Sequence, residues 1–167
     1  MLIELHLAVL AGFAGLMLTA ALEDFRSLSI SNRLTVGLCA LWPLHLATTP
    51  LTIAPWGALG CALASFLAGA VLFARGIMGG GDVKLLAAAV LWAGPGSVGP
   101  LLVATGLFGG LLALLLLLPS TAPLMTALRP AAVLPEGGTA ARFKAPVPYG
   151  VAIAAAALIV TIPPYFG

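Results

Sequence analysis

Charge is what this chain has least of. Asp, Glu, Lys and Arg together make up 7% of its 167 residues, whereas a soluble domain carries roughly 25%. With 62% hydrophobic residues and a mean hydropathy of +1.18, water is excluded as the main solvent. Polar stretches are also lacking: none is long enough to fold as a second, soluble unit, so one membrane-embedded domain over residues 1–167 is expected. Cysteine is scarce. Cys39 and Cys61 both lie in apolar segments without CxxC spacing, which argues against a zinc ribbon or a thioredoxin-like motif and for small-residue packing. No metal and no cofactor is expected. The N-terminus lacks the basic stretch that opens a cleaved signal peptide, so the first apolar segment is expected to be retained.

What is present is a series of apolar windows. About 20 such residues span a bilayer as a helix, and six candidates appear, over 2–22, 34–49, 53–74, from 83 to about 94, 98–118 and 147–162. The second is short and expected to bend or end near Pro43. The loop over 119–146 is longer and rich in Pro and Thr. All seven Lys and Arg residues fall in alternate loops: Arg26 and Arg33 in the first, Arg75 and Lys84 in the third, Arg129, Arg142 and Lys144 in the fifth. Because positive loops stay cytoplasmic, the expected fold is all-α and polytopic, with six transmembrane helices, both termini outside and the charged loops inside. Asp24 and Asp82 then face the same side.

One length does not fit. From Val83 to Gly94 a helix covers about 18 Å at 1.5 Å per residue, against a hydrocarbon core of roughly 30 Å. Either that helix continues through Gly94-Pro95-Gly96 with a kink, or the glycine loop before it dips below the membrane surface. The second picture is preferred. Irregular backbone at that depth must be buried in protein or line a wet cavity.

Acids in such a chain call for a reason, since ionisable groups at membrane depth are costly and usually functional. Asp82 follows three glycines in Gly79-Gly80-Gly81-Asp82-Val83-Lys84, and Asp24 opens Asp24-Phe25-Arg26-Ser27-Leu28-Ser29-Ile30-Ser31-Asn32. Two neighbouring carboxylates do not both ionise easily and share a proton. The ionised one takes a proton from water while its neutral partner donates to a carbonyl oxygen, which hydrolyses a peptide bond without a covalent intermediate. Glycines before Asp82 let an extended peptide approach the backbone closely. The plainer alternative is that both acids are loop residues paired with Arg26 and Lys84.

These two stretches resemble the paired motifs of the type IV prepilin peptidases, D-x-R-x-x-x-I-P-N and G-x-G-D-x-K, in the short form associated with tight-adherence (Flp) pili. Asp24, Arg26, Ile30 and Asn32 match the first, with Ser31 in place of the usual proline. Gly79, Gly81, Asp82 and Lys84 match the second, and Pro148-Tyr149-Gly150 is similar to the family's closing segment. The resemblance implies a membrane aspartic endopeptidase with Asp24 and Asp82 as its catalytic pair. Its substrate would be a prepilin with a basic leader and a hydrophobic segment, and its location the cytoplasmic (inner) membrane of a bacterium or archaeon. A lipid bilayer and pilus or secretion machinery would be its surroundings, without nucleic acid. Larger members carry an extra domain with paired CxxC motifs and an N-methyltransferase activity, so a peptidase without methyltransferase activity is expected here.

Supporting roles are expected for Gly79, Gly81, Lys84, Arg26 and Asn32. Arg26 and Lys84 either tune the aspartates by proximity or mark the cytoplasmic interface. Asn32 either holds the first loop through side-chain-to-backbone bonds or caps the second helix. His6 and His45 are read as structural or interfacial, and Trp42, Trp56 and Trp92 as an interfacial belt. Residues Leu124, Met125 and Leu128 beside Arg129 suggest a short interfacial helix or a substrate contact, and Glu136 belongs to no motif. Other function classes remain in view: a small proton- or cation-coupled transporter, or a non-catalytic pilus or secretion assembly subunit. No internal repeat supports the transporter. A presenilin-type protease fits poorly, because Phe25 and Arg26 follow the first aspartate. A rhomboid-type serine protease fits no better, since neither histidine is placed to partner a serine.

Overall fold

A computed structural model describes residues 2–50, 53–118 and 147–162. All regular structure among them is helical, with no strand. Helix α1 is Leu2–Ser27, α2 Asn32–Thr48, α3 Pro55–Ala74, α4 Gly80–Ala93, α5 Val98–Leu117 and α6 Tyr149–Thr161, with a 3-10 turn at Pro95–Ser97. These six helices coincide with the six apolar windows to within a few residues. The loop over 119–146, with Leu124, Met125, Leu128, Arg129, Glu136, Arg142 and Lys144, lies outside the described residues.

Local chemistry explains the helix ends. The α1 segment has no proline, an acid in its first turn (Glu4) and a base in its last (Arg26), both of which suit the helix dipole. Ser31 caps α2, its hydroxyl accepting from the Arg33 amide at 3.3 Å, and Pro55 opens α3 at a position that needs no amide. Gly94, at φ 70° and ψ 171°, ends α4. That conformation is open to glycine but not to ordinary residues, so α4 does not run on through Gly94-Pro95-Gly96. At 14 residues it is about 21 Å long.

Two expected boundaries need correction. The first helix does not stop at Glu23-Asp24 but continues to Ser27, so Asp24 belongs to its last turn rather than to a loop. Helix α4 begins at Gly80 rather than at Val83, so Gly80, Gly81 and Asp82 form its first turn rather than a loop; α2 runs through Pro43 to Thr48, within one residue of its expected end.

The helices divide into an inner and an outer set. Helix α4 packs against α2, α3 and α6, and α6 packs against α1, α4 and α5. Both are buried along most of their length, α4 through Val83, Leu85, Ala88, Ala89, Val90, Leu91 and Trp92, α6 through its alanines and Ile153. By contrast, α3 buries only Ala58 and Gly69, and α5 only Leu101 and Gly109. The rest of their surface is apolar, including Leu63, Phe66, Val71, Leu107 and Leu114. A helix apolar all round with so little buried in protein needs lipid as its solvent. Three segments, Leu2–Ser27, Pro55–Ala74 and Pro95–Leu117, are long and apolar enough to cross a membrane. The chain is a membrane protein.

Glycines set the closest approaches between helices. A Cβ on Gly69 would stand 2.8 Å from a Val83 methyl, one on Gly109 2.8 Å from the Tyr149 ring, and one on Gly12 3.1 Å from Leu41. Without a hydrophobic driving force inside lipid, such close contact is what holds helices together. Away from the charged loops, Trp92 stacks on Phe13 (4.4 Å) and His45 (4.6 Å) and donates its indole N–H to the Leu38 carbonyl at 3.0 Å. His6 stacks on His45 and its ring bonds to Thr48 Oγ1 at 3.1 Å, so both histidines are structural. Trp42 and Trp92 are therefore core residues rather than members of a belt. The bonded N–H lets Trp92 be buried whole, whereas Trp42 Nε1 is buried without a hydrogen-bond partner. Trp56, 84% exposed, alone fits the belt. Cys61 packs against the core, whereas Cys39 is exposed on α2.

The α3–α4 contact generates a prediction. Gly69→Leu should lower the thermal midpoint of the purified protein in detergent, by overpacking worth about 1–3 kcal/mol. Gly60→Leu on the same helix meets nothing within 4 Å and should leave the midpoint unchanged.

Candidate active site

The two aspartate motifs are far apart in the chain, and it is the helix termini that unite them. Asp24, in the last turn of α1, is 4% exposed. Its Oδ2 accepts the backbone N–H of Gly150 at 2.7 Å, a buried bond between residues 126 positions apart. Gly150 is in the first turn of α6, just after the capping residue Pro148, where backbone amides have no partner within their own helix. A carboxylate is the natural acceptor there, because the helix dipole also favours negative charge. The contact requires glycine: a Cβ at 150 would lie 2.8 Å from Asp24 Oδ2 and 2.8 Å from Ile30 Cδ1.

Asp82 is placed by the same kind of physics. It is the third residue of α4 after the cap Gly79, from which an acidic side chain folds back to the cap's own amide. Its carboxylate takes a hydrogen bond from the Gly79 backbone, and a Cβ on Gly79 would stand 2.9 Å from Asp82 Oδ2. The other oxygen, Oδ1, is buried with no hydrogen-bond partner. Asp82 lies at the polar end of α4, outside the three segments long enough to cross a membrane. Burial pushes its carboxyl up to about 7, the charge of Asp24 adds to the rise, and the Gly79 bond opposes it. The unpartnered oxygen and the raised value agree: this carboxyl holds a proton where an exposed one would have lost it.

Ile30 ties the two halves together. Its Cβ is 3.1 Å from where a Cβ on Gly81 would be, and its Cδ1 reaches Gly150. The side chain is thus wedged between the N-termini of α4 and α6. Asp24, Leu28, Ser29, Ile30, Gly79, Gly80, Gly81, Asp82 and Lys84 line one cavity of about 180 Å³.

The supporting residues divide. Gly79 and Gly81 line the cavity and fit closely there. Lys84 Nζ donates to Asn32 Oδ1 at 2.8 Å, joining α4 to the start of α2 at the charged end of the bundle. Lys84 therefore secures the loop and is not the counter-charge of Asp82, and Asn32 acts through a side chain rather than as a cap, since Ser31 caps α2. Arg26 is exposed and makes no side-chain hydrogen bond or ion pair among the described residues. Sequence reasoning missed two partners. The Gly150 amide was hidden in a segment noted only as a closing motif, although a glycine right after a proline-started helix is a signal for close approach. Glu23, just beyond the 2–22 window, carries no motif signal, yet its Oε2 accepts the Ser31 amide at 2.8 Å.

The raised Asp82 carboxyl has a consequence for stability, with the sign set by linkage. Unfolded, the group loses its proton near 3.8, and folded near 7. The folded state therefore binds more protons in that window, and stability falls as pH rises through it. The thermal midpoint in detergent should decline from about pH 4 to about pH 7 and then level off as far as this group is concerned. Asp82→Asn should flatten that decline, and an unchanged slope would show that Asp82 titrates normally.

A family model described as the type IV leader peptidase family matches residues 11–114. The matched region holds Asp24, Ile30, the glycine strip and Asp82, and ends before α6. No curated protein and no solved structure matches the chain. With more than half its length matched, the chain belongs to the type IV leader peptidase family.

Proposed function

We propose that this protein is an aspartic endopeptidase that removes the leader of a prepilin-type precursor, with Asp24 and Asp82 as its two catalytic groups. The observation that carries the reading is that both carboxylates line one cavity, where Asp24 accepts the Gly150 amide and Asp82 keeps one buried oxygen without a hydrogen-bond partner. Family membership supports a leader peptidase in general.

The environments assign the roles. Asp24, bonded to the Gly150 amide at the start of α6, is stabilised as the carboxylate and acts as the base. Asp82, with its unpartnered buried oxygen, is the acid. A water between them gives a proton to Asp24 and its oxygen attacks the carbonyl carbon, while Asp82 protonates the carbonyl oxygen. The tetrahedral diol then collapses: the C–N bond breaks, the leaving amine takes the proton from Asp24, and Asp82 recovers its own from the diol. No covalent enzyme intermediate arises. The strip Gly79-Gly80-Gly81 forms a wall without side chains, against which an extended peptide can lie close to the backbone.

In this reading the six helices form a membrane-embedded unit in a bacterial or archaeal cytoplasmic membrane. The aspartates lie at the charged end of the bundle, Asp24 in the last turn of α1 and Asp82 in the first turn of α4, and that end, with Arg26, Arg33, Arg75 and Lys84, faces the cytoplasm. A prepilin enters with its hydrophobic segment in the bilayer and its basic leader on the cytoplasmic side. Basic loops do not attract a basic leader, so backbone and shape select it more than charge. Pilus or secretion machinery would receive the product.

Co-expression with a candidate prepilin tests the reading. Asp24→Asn and Asp82→Asn should each lower cleavage by about 100-fold or more, the usual worth of a positioned acid or base. Wild-type processing by either variant would rule out the pair. For the purified enzyme, kcat/KM should fall by roughly tenfold per pH unit above about 7, as Asp82 loses its proton in the free enzyme.

A further inference from the structure

We infer that Glu23 is a positioning residue for the aspartate pair, acting through its hydrogen bond to the Ser31 amide, which holds the α1–α2 loop and with it Ile30. The inference rests on the two-aspartate reading. Four residues join α1 to α2, Leu28 to Ser31. The turn begins with Leu28 at φ 52°, a left-handed conformation that a residue with a branched side chain rarely adopts. Its amide bonds to the Asp24 carbonyl at 2.9 Å, so the strained residue directly follows the turn of helix that carries the catalytic candidate. Strained backbone persists only where its surroundings over-determine it. Here the surroundings are two clasps across the turn. Ser27 Oγ contacts Ser29 Oγ at 3.1 Å, on the exposed side. Glu23 Oε2 accepts the Ser31 N–H at 2.8 Å, partly buried. The second spans from the last full turn of α1 to the cap of α2, and encloses Ile30.

Ile30 is the piece whose position matters. It is packed against Gly81 one residue before Asp82 and against Gly150, whose amide holds Asp24. Because Ile30 packs against the backbone beside Asp82 and against the glycine whose amide holds Asp24, displacing it should disturb both. Ser31 is also where the first motif departs from proline. Its φ of −62° lies within the range to which a proline ring locks the backbone, about −65°. Proline would supply that angle covalently but has no N–H to donate. With serine at 31 the angle is held instead by the bond to Glu23, and the same serine's hydroxyl caps α2. An acid at 23 and a non-proline residue at 31 thus work as one unit.

Four variants, three single and one double, test this. Glu23→Ala should lower kcat/KM for leader cleavage by about tenfold, in line with the loss of one charge-assisted hydrogen bond. The loss should fall in kcat rather than KM, since the substrate is not touched. Glu23→Gln keeps an acceptor oxygen and should restore most of the rate. Ser31→Pro removes the amide but retains the angle, so Glu23→Ala added to Ser31→Pro should change the rate by less than about twofold. Hydrogen exchange at the Ser31 amide, read by mass spectrometry, should speed up in Glu23→Ala and not in Glu23→Gln, whatever the activity. Equal losses in Glu23→Ala and Glu23→Gln would point to charge and overturn the inference. So would unchanged exchange at Ser31, or a full Glu23→Ala effect in the proline background. Failure of the aspartate reading looks different: Asp24→Asn and Asp82→Asn would then cleave normally, while the exchange result at Ser31 could still hold.

Discussion

The bond from the Gly150 amide to Asp24 is the constraint on which the site depends. It pins the end of α1 to the start of α6 across 126 positions, and satisfies at once a buried carboxylate and an orphan helix amide, each costly to leave alone. Ile30 can wedge between α4 and α6 only because this junction is tight. Once α1, α4 and α6 meet there, one oxygen of Asp82 is buried without a partner, and that burial raises its pKa.

The same logic of small residues runs through the bundle. In water, burial of hydrocarbon would draw helices together, but lipid is as apolar as leucine, so close packing and internal polar bonds must do it. Gly12, Gly69 and Gly109 mark the approaches of α1 to α2, α3 to α4 and α5 to α6. These contacts leave α3 and α5 as an apolar outer layer and gather the polar pieces at the two ends of the bundle. At one end those pieces are the aspartates and the Lys84–Asn32 link; at the other they are His6, Thr48, His45 and Trp92.

The electrostatics follow from where each acid sits relative to a helix start. Both are near an N-terminus, Asp24 facing that of α6 and Asp82 within that of α4. Equal dipoles would favour two anions, but one cavity does not hold two anions well. The asymmetry arises from the bonds: Asp24 has a short one to Gly150, whereas Asp82 keeps one oxygen without a partner. Two like residues with unlike surroundings are what acid–base chemistry at one site requires.

Much of the architecture could be read from composition. Apolar windows far above the hydropathy of soluble chains, punctuated by Pro, Gly and charge, marked all six helices, because solvent and length dictate a membrane helix with little help from its neighbours. The motif spacing singled out Asp24, Asp82, Gly79 and Gly81, since acids and glycine runs stand out against hydrocarbon. The sequence could not rank the tryptophans: burial of Trp42 and Trp92 depends on which helix faces which, and on the Leu38 carbonyl that receives one indole. Nor could it tell that Lys84 answers to Asn32 rather than to an aspartate. For the same reason the sequence hinted at a close approach at Gly150 but did not say which group meets its amide, nor that Glu23 reaches Ser31. A backbone N–H is present at every residue but proline, and only the tertiary meeting of helix ends decides which one a carboxylate will find.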